Sequence, residues 1–322
     1  MSAKVVAVVC SDLHLSHKAP VARSDEPDWY NAMARPLRQM SSVCNKYSVP
    51  LYIAGDIFDR WNAPPELINF AIHKFSDFHS GVYSIPGQHD LPNHSMDEID
   101  RSAYGTLALI QSVHDVSGAA GDLQHGHHNR DWYLYGYEWN RDVDVMEQRT
   151  DKRKFAPRVA LIHSYIWTKG TGYVGVDDAS GIVGWKDRLR GYDVAIFGDN
   201  HKGFDASYAD TDTRIVNCGT VMRRKADEIE YQPHYGIMSI DDEGEITVEM
   251  NPFDTSKDVI SDSHVVKKAE AVSRDASAFL GELQAMGQDS LDFREAVSRY
   301  VTVNDVDKEV VELILGSMED GC

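Results

Sequence analysis

Five short polar motifs carry the residue types that this chain could use for chemistry, and each follows a run of apolar residues. Aspartate, histidine and a carboxamide together form the ligand set of a mixed oxygen and nitrogen site for a transition metal. The motifs SDLHL, GDIFD, PGQHD, LIHSY and FGDNHKG supply Asp12, His14, Asp56, Asp59, Gln88, His89, Asp90, His163, Asp199 and His201. We therefore expect one metal site assembled from loops that are far apart in sequence.

The motif around Asp56 shows why these positions suit a metal. Residues 51–54 form a short apolar run closed by Gly55, which is typical of a buried strand that enters a tight loop. A carboxylate at the carboxyl end of such a strand lies in the crevice where open α/β sheets bind ligands. Two metal ions about 3.5–4 Å apart need a bridging ligand, and such a pair activates water for in-line phosphoryl displacement.

Each of these residues also has a plainer interpretation when it is considered alone. Aspartates commonly form turns or cap helices, and histidines are often partly buried hydrogen-bonding residues. Asp12 and His14 are two residues apart, which places them on the same side of an extended segment. This pairing, and the recurrence of the pattern at five predicted strand ends, favour a shared site over separate structural roles.

The elements that must position these motifs begin with a βαβαβ pattern. Apolar runs predict strands at 4–10, 49–54 and 81–85, and helical spacing predicts helices at 28–47 and from Pro64 to Phe75. A short helix at 104–111 and a short strand at 113–116 follow. Further strands are predicted at 132–136, 159–162, 194–197, 214–217, 235–240 and 245–250, with helices at 139–153 and 180–189 and an exposed loop at 118–130.

This order of elements predicts an α/β fold, a four-layer α/β/β/α sandwich made of two stacked sheets with outer helices. Composition changes after residue 251, and amphipathic patterns at 276–286, 291–301 and 306–318 predict helices. We divide the chain into a catalytic domain at 1–252 and a helical C-terminal appendage at 253–322. Because the appendage is short and poor in apolar residues, it is not expected to fold independently.

Composition restricts the classes of function. The chain has 51 acidic and 32 basic residues and a formal net charge of −19, so a broad basic surface for DNA is not expected. No apolar run is long enough to span a bilayer, and the N-terminus has no secretory pattern. Four widely spaced cysteines fit a reduced compartment, and we predict a cytoplasmic protein, in host cytoplasm if a phage encodes it.

The five motifs resemble those of the calcineurin-like metallophosphoesterase superfamily, whose pattern runs D-x-H, G-D-x-x-D, G-N-H-D, H and G-H-x-H over residues 5–240. The resemblance implies two divalent ions, Mn²⁺ by preference with Mg²⁺ as the alternative. It assigns Asp12, His14, Asp56 and His201 to one ion, and Asp56, Gln88, His163 and Asp199 to the other. His89, oriented by Asp90, would contact the phosphate and protonate the leaving oxygen. Asp59 would contact the metal ligands without binding an ion itself.

Two residues depart from the superfamily pattern. Gln88 replaces the usual asparagine and adds a methylene to the ligand arm, and Asp199 replaces a histidine and exchanges a neutral nitrogen for an anionic oxygen. Both keep an atom that can bind a metal. We therefore expect an occupied site whose second ion has altered affinity.

Within the superfamily, the stretches GDIFDRWNAPPELINFA, IPGQHDLPNH, VALIHSY and NCGTVMRR look similar to SbcD-type DNA repair exonuclease subunits of bacteria and phages. That resemblance implies DNA phosphodiester hydrolysis by a metal-activated hydroxide, with an SMC-like coiled-coil ATPase as partner and a homodimer as a further option. Arg223 and Arg224 would contact phosphate or nucleic acid. Other candidate contacts are basic residues at 152–154, Lys186, Arg188 and Arg190, and aromatic residues Tyr165, Trp167 and Tyr173.

Two alternatives remain open at this point. A phosphatase or phosphodiesterase for a small nucleotide or other phosphoester would use the same metals and would fit the acidic composition better. A scaffold with weakened catalysis is supported only by Gln88 and Asp199, and the intact His89–Asp90 pair argues against it. The cluster of His125, His127 and His128 matches no ligand motif and is interpreted as a surface loop.

Overall fold

The computed structural model describes residues 3–118, 121–125, 131–147, 156–173, 175–208 and 213–262. Residues up to 261 form one compact unit. The predicted helices at 276–286, 291–301 and 306–318 lie outside the described residues, so the helical appendage stays a prediction. Among the described residues, no helix combines the length and the apolar character needed to cross a membrane.

The first sheet contains six strands in the order β12-β11-β1-β2-β3-β4. Strands β1 to β4 are mutually parallel, whereas β11 pairs antiparallel with both β1 and β12. The strands are β1 Lys4–Cys10, β2 Leu51–Ile53, β3 Val82–Ser84, β4 His114–Asp115, β11 His234–Ile240 and β12 Ile246–Pro252.

The second sheet also contains six strands, in the order β5-β6-β7-β8-β10-β9. Its central strands β6, β7, β8 and β10 are parallel, and the two edge strands β5 and β9 pair antiparallel. The strands are β5 Asp122–His125, β6 Asp131–Tyr137, β7 Arg158–His163, β8 Val194–Gly198, β9 Phe204–Ser207 and β10 Arg214–Asn217.

The two sheets pack face to face through alternate residues of their strands. Val9 of β1 and Tyr52 of β2 share a buried cluster with Leu161 of β7 and Ile196 of β8. The neighbouring residues point the other way, because successive side chains of a strand face opposite sides of the sheet. Both faces of these central strands are therefore buried, which explains why their sequences are continuous apolar runs.

Helices cover the outer faces. The helices α1 Trp29–Tyr47, α2 Pro65–Phe75 and α3 Ala103–Leu109 pack on the first sheet, while the short helix α4 Ile182–Trp185 lies with the aromatic cluster outside the second. Asp28 caps α1 by accepting a hydrogen bond from Asn31 N. The predicted α/β/β/α sandwich is confirmed.

Several local predictions were wrong. The described part of the predicted helix 139–153, residues 139–147, is irregular, and the predicted helix 180–189 shortens to α4. The predicted loop 118–130 contains β5, so His125 belongs to a strand, whereas His127 and His128 lie outside the described residues. Strand β9 was not predicted, because the sequence FDAS has the polar character of an exposed edge.

Candidate metal centre

The predicted ligands lie at the carboxyl ends of β1, β2, β3, β7 and β8. The carboxyl ends of parallel strands meet at one edge of a sheet, and here the edges of the two stacked sheets bring the five motifs together. Asp12, His14, Asp56 and Asp199 have positive φ values of 53°, 43°, 52° and 80°. Left-handed backbone is uncommon for residues other than glycine, although aspartate and histidine adopt it more often than most, and it concentrates at functional sites.

The first half-site, as we call it, consists of Asp12, His14 and His201. Each contributes one ligand atom, and these atoms lie within 4.8 Å of one another. His14 Nε2 and His201 Nε2 are 3.0 Å apart. Two nitrogens that bind one ion at about 2.1 Å and at right angles would be about 3 Å apart, so this spacing suits a shared cation.

The second half-site consists of Gln88, His163 and Asp199, which form a chain of hydrogen bonds. His163 Nε2 lies 2.6 Å from Gln88 Oε1, and Gln88 Nε2 donates to Asp199 Oδ1 at 2.6 Å. His163 Nδ1 donates to the carbonyl of Ala54 at 2.6 Å, which fixes the orientation of the ring. The two residues that depart from the superfamily pattern, Gln88 and Asp199, are therefore bonded to each other.

Asp56 lies between the two half-sites. Its Oδ2 is 3.7 Å from His14 Nε2 and 3.5 Å from His163 Nε2, while its Oδ1 accepts a hydrogen bond from His89 N at 2.9 Å. Oδ2 is buried and has no hydrogen-bond partner. A buried carboxylate oxygen without a partner is costly, and a cation placed between the histidines would satisfy it.

Two glycines make this close packing feasible. A Cβ at Gly55, whose φ is +86°, would lie 2.1 Å from His163 Nδ1, and a Cβ at Gly87 would lie 2.2 Å from Asp56 Oδ1. Any larger residue would displace His163 or Asp56. The glycines of GDIFD and PGQHD are thus required by the ligands that they approach.

Burial and nearby charges give the histidines of the two half-sites different protonation states at pH 7. Burial lowers the pKa of His14 well below its usual value and lowers the pKa of His201 to about 4, so both imidazoles are neutral at pH 7. Burial also acts to lower the pKa of His163, but Asp56, Asp12 and Asp199 outweigh it and raise the pKa to about 10. Burial raises the pKa of Asp12 to about 7.

His89 lies at the exposed mouth of the site, with its ring edge-on to His14 at a centroid distance of 5.1 Å. Asp90, next to it, is buried, and burial raises the pKa of its carboxyl group to about 7. This carboxyl group accepts hydrogen bonds from the backbone N–H groups of Ile57, Phe58 and Gly87 at 2.9–3.1 Å. Asp90 therefore joins the loop after β2 to the loop after β3, beneath His89. Any influence of Asp90 on the orientation of the His89 ring is transmitted through this backbone.

The adjacent arginines 223 and 224 lie in different environments. Arg224 Nη1 is 2.8 Å from Asp59 Oδ1, and the same oxygen is 3.9 Å from His14 Nδ1, which places Arg224 beside the first half-site. The guanidinium of Arg223 instead donates to Ile229 O and lies 3.4 Å from Asp258. The structure thus brings Arg224 to the site and turns Arg223 toward the segment that follows β12.

Other predicted contact residues are engaged elsewhere. Arg188 stacks on Trp185 at 3.8 Å, and Arg190 pairs with Asp187 at 2.8 Å. Tyr165 and Tyr173 pack together at a ring distance of 5.2 Å in the loop after His163. The basic residues at 152–154 lie outside the described residues.

A cavity of about 410 Å³ lies beside His89, and only three of its lining residues, Asp59, Gln88 and His89, were predicted as site residues. The other side chains come from the segments that follow Asp59 and Asp90, where no ligand pattern marks them. The lining includes Asp59, Arg60, Trp61, Asn62, Gln88, His89, Leu91, Asn93 and His94.

Comparison with known proteins fits this geometry. The model of the calcineurin-like phosphoesterase family matches residues 6–203, which carry all five ligand motifs. The chain belongs to this family. As a calcineurin-like phosphoesterase it is a metal-dependent hydrolase of phosphoric esters, and the buried donors around Asp56 are residues that fit a divalent cation.

Solved structures similar to this calcineurin-like phosphoesterase are distant in sequence. The NAD nucleotidase of Haemophilus influenzae is 12% identical with a TM-score of 0.44, and the match covers 78% of this chain and 50% of that protein. The phosphoesterase YfkN of Bacillus subtilis is 13% identical with a TM-score of 0.45, and the match covers 86% of this chain and 99% of that protein.

A 5′-nucleotidase precursor of Thermus thermophilus is 12% identical with a TM-score of 0.46, covering 86% of this chain and 59% of that protein. The chain therefore spans only half to three-fifths of the length of the two nucleotidases. No curated protein sequence matches the chain.

Proposed function

We propose that this phosphoesterase hydrolyses a small phosphoester that carries a ring, with a nucleotide as the substrate class. The supporting observation is the cavity of about 410 Å³ that opens directly beside His89. Binding sites for small molecules are typically about 300–1,000 Å³. A cavity of this size next to the expected acid can hold the leaving group of a small ester.

The walls of the cavity have the chemistry that recognises a nucleobase. Trp61 is half-buried and lines the cavity with its indole, and Asn62 is an exposed amide that can donate and accept hydrogen bonds. Asn93 is also exposed and can accept through its amide oxygen, while its Nδ2 donates to Glu98. His94 lies edge-on to Trp139 at 6.5 Å, which supports one wall. Proteins commonly bind single bases by stacking them on aromatic rings and bonding their edges.

The charge distribution supports a small substrate over a long polyanion. The net charge is −19, whereas binding of DNA depends on many phosphate contacts to lysine and arginine. In the described part of the chain, Arg190 and Arg223 form intramolecular ion pairs with Asp187 and Asp258. These pairs reduce the positive charge available to a nucleic-acid backbone.

We further propose that two divalent ions, Mn²⁺ by preference, occupy the two half-sites and share Asp56. When bound, they would supply the Lewis-acid chemistry that activates water and neutralises phosphoryl charge. The first half-site has two imidazole nitrogens and one carboxylate, and the second has one imidazole nitrogen and two oxygen donors. The oxygen donors in both half-sites are compatible with Mn²⁺.

The residues of this chain have separate tasks in the proposed reaction. The Arg224 guanidinium would contact the phosphoryl oxygens, since its planar fork suits such oxygens. His89 would donate a proton to the leaving oxygen from its exposed position at the mouth. Asp90 would keep the His89 loop in register with Asp56 through its three backbone hydrogen bonds.

A substrate panel with Mn²⁺ tests this proposal. Nucleoside monophosphates, cyclic nucleotides, p-nitrophenyl phosphate, bis-p-nitrophenyl phosphate, linear duplex DNA and circular single-stranded DNA would be compared. We expect a nucleotide to have the highest kcat/KM. Trp61→Ala should raise KM for the nucleotide about tenfold, since stacking contributes about 1–3 kcal/mol, and should leave p-nitrophenyl phosphate nearly unchanged. An equal effect on both substrates, or DNA as the best substrate, would contradict the proposal.

DNA hydrolysis of the SbcD type is the second candidate, and one observation favours it. Tyr173 is 61% exposed and packs against Tyr165 in the loop beside Asp199, so the pair offers a surface on which bases could stack. If Tyr173→Ala lowers cleavage of single-stranded DNA at least tenfold without changing nucleotide hydrolysis, this candidate gains support over the first. The coiled-coil ATPase partner, the homodimer and the cytoplasmic location remain predictions from the sequence.

A further inference from the structure

The peptide unit between Arg223 and Arg224 is held at both ends by charged side chains. Its carbonyl accepts a hydrogen bond from Arg23 Nη1 at 2.8 Å, and its N–H donates to Glu228 Oε2 at 2.6 Å. Hydrogen bonds with a charged partner are about twice as strong as neutral ones. The plane of this one peptide is therefore fixed more firmly than ordinary loop backbone.

Arg23 is itself held in place. Its side chain has no solvent exposure, and its Nη2 pairs with Glu26 at 2.8 Å and with Asp258 at 3.3 Å. Arg35 contacts the same two carboxylates. Burying an arginine costs free energy unless its charge is paired and its N–H groups form hydrogen bonds. Here one of those N–H groups donates to the carbonyl of Arg223.

The Cα atom of Arg224, which carries its side chain, directly follows this peptide unit. That side chain reaches Asp59 at 2.8 Å, beside His14 of the first half-site. An arginine has several rotatable bonds, and its planar fork binds a phosphoryl group well only in one orientation. Fixing its backbone removes part of the conformational freedom that substrate binding would otherwise have to remove.

We propose that Arg23 and Glu228 are positioning residues that orient Arg224 toward the phosphoryl group of the substrate. Neither residue needs to contact the substrate. This inference rests on the phosphate contact assigned to Arg224 under the proposed function, but it does not depend on the identity of the leaving group. Asp258, which follows β12, takes part by holding Arg23.

Steady-state kinetics of point variants test the inference. The substrate would be whichever of p-nitrophenyl phosphate and bis-p-nitrophenyl phosphate is turned over faster, with inorganic phosphate as the competitive inhibitor. Glu228→Leu removes the acceptor of the Arg224 N–H and should raise both KM and the inhibition constant of phosphate about fivefold, with kcat within twofold. Glu228→Gln keeps an acceptor oxygen and should restore values close to wild type.

Arg23→Lys keeps the charge but loses the geometry of the fork, and we expect the same increase in KM. Arg101→Lys is the matched control, because Arg101 pairs with Glu98 three residues away, as Arg23 pairs with Glu26, but lies on the surface. This control should leave both constants unchanged. Glu228 is only half-buried, so its variants keep the test decisive if Arg23→Lys fails to fold.

A double-mutant cycle with Arg224→Ala decides whether the effect acts through Arg224. Arg224→Ala should raise KM about tenfold, and adding Glu228→Leu should then cause no further increase, because coupled residues are non-additive. Additive effects, an unchanged KM in Glu228→Leu, or an unchanged KM in Arg224→Ala would each overturn the inference. A failure of the nucleotide proposal would appear in the substrate panel and in the Trp61→Ala comparison, not in this cycle, so the two failures are distinguishable.

Discussion

The two half-sites on either side of Asp56 differ in how their ligand atoms are engaged. In the first half-site, His14 Nε2 and His201 Nε2 face each other at 3.0 Å, and both rings are neutral at pH 7. In the second, His163, Gln88 and Asp199 are linked by two hydrogen bonds of 2.6 Å. In the first half-site a single hydrogen bond joins two neutral rings, whereas in the second two hydrogen bonds join a charged imidazole to an amide and a carboxylate.

Two half-sites built from similar ligand types can therefore differ in metal affinity, because their ligand atoms are engaged differently before the metal binds. An ion that enters the second half-site must replace the Gln88–Asp199 and Gln88–His163 hydrogen bonds and displace a proton from His163. At the first half-site an ion replaces only the hydrogen bond between His14 Nε2 and His201 Nε2, and both rings are already neutral. We therefore infer that the first half-site binds its ion more tightly, and that Gln88 and Asp199 are the cause.

Asp56→Asn should have the largest effect, because Asp56 serves both half-sites. The change removes a negative charge and the buried oxygen Oδ2, and we expect activity to fall at least about 1,000-fold with loss of both ions. Metal content by elemental analysis and kcat/KM would be measured together. Asp254→Asn, an exposed aspartate beside α1, is the control, and retention of both ions in Asp56→Asn would contradict the shared role.

His89→Ala should separate catalysis from metal binding. His89 lies at the mouth and belongs to neither half-site, so kcat should fall about 100-fold or more, as expected on loss of a general acid. Metal content should stay at the wild-type value. Unchanged turnover with a poor leaving group would remove His89 from the mechanism.

The pH dependence of metal binding should distinguish the half-sites. Between pH 7.5 and 9.5 the first half-site has already lost its protons, since the pKa values are about 4 for His201 and about 7 for Asp12. His163, with a pKa of about 10 before the metal binds, still holds its proton over this range. Binding to the second half-site must release that proton, so its affinity should rise up to about tenfold per pH unit while the first stays constant.

Calorimetry in buffers of different ionisation enthalpy would measure the protons released in each binding step. Release of about one proton in the second step and almost none in the first is the expected result at pH 8. Equal release in both steps would show that the two half-sites do not differ in protonation.

Gln88→Asn should produce a smaller change in the opposite direction. Asparagine is one methylene shorter and cannot span from His163 to Asp199. The change therefore breaks the hydrogen bonds that link these residues, but it keeps a carboxamide oxygen that can bind the metal. We expect the second ion to bind about tenfold more tightly, the size of effect typical of groups that support metal ligands. Gln39→Asn, a glutamine that contacts Asp254 far from the motifs, is the matched control.

The sequence predicted the sandwich and the residues of the centre because both depend on strong local signals. Apolar runs such as 194–197 can be buried on both faces only as central strands, and the motifs follow those runs directly. Strand β5 was missed because DLQH lies within a stretch rich in glycine and histidine, and β9 because FDAS is an edge strand with exposed polar residues.

The interactions within the centre were beyond the sequence. Nothing in two adjacent arginines shows that Arg224 contacts Asp59 while Arg223 contacts Asp258. The buried Arg23 that donates a hydrogen bond to the Arg223 carbonyl is 200 residues away in the sequence. The hydrogen bond between Gln88 and Asp199 likewise joins residues 111 positions apart. The cavity beside His89 also depends on the segments that follow Asp59 and Asp90, which carry no ligand pattern.

Anomalous diffraction from crystals soaked at a low and a high Mn²⁺ concentration distinguishes a tight first half-site and a weak second one from two equal sites. We predict one anomalous peak at the low concentration, bounded by Asp12, His14, Asp56 and His201. A second peak bounded by Asp56, Gln88, His163 and Asp199 should appear only at the high concentration. Equal peaks at the low concentration, a first peak at His163, or no peak near Asp56 would contradict the account.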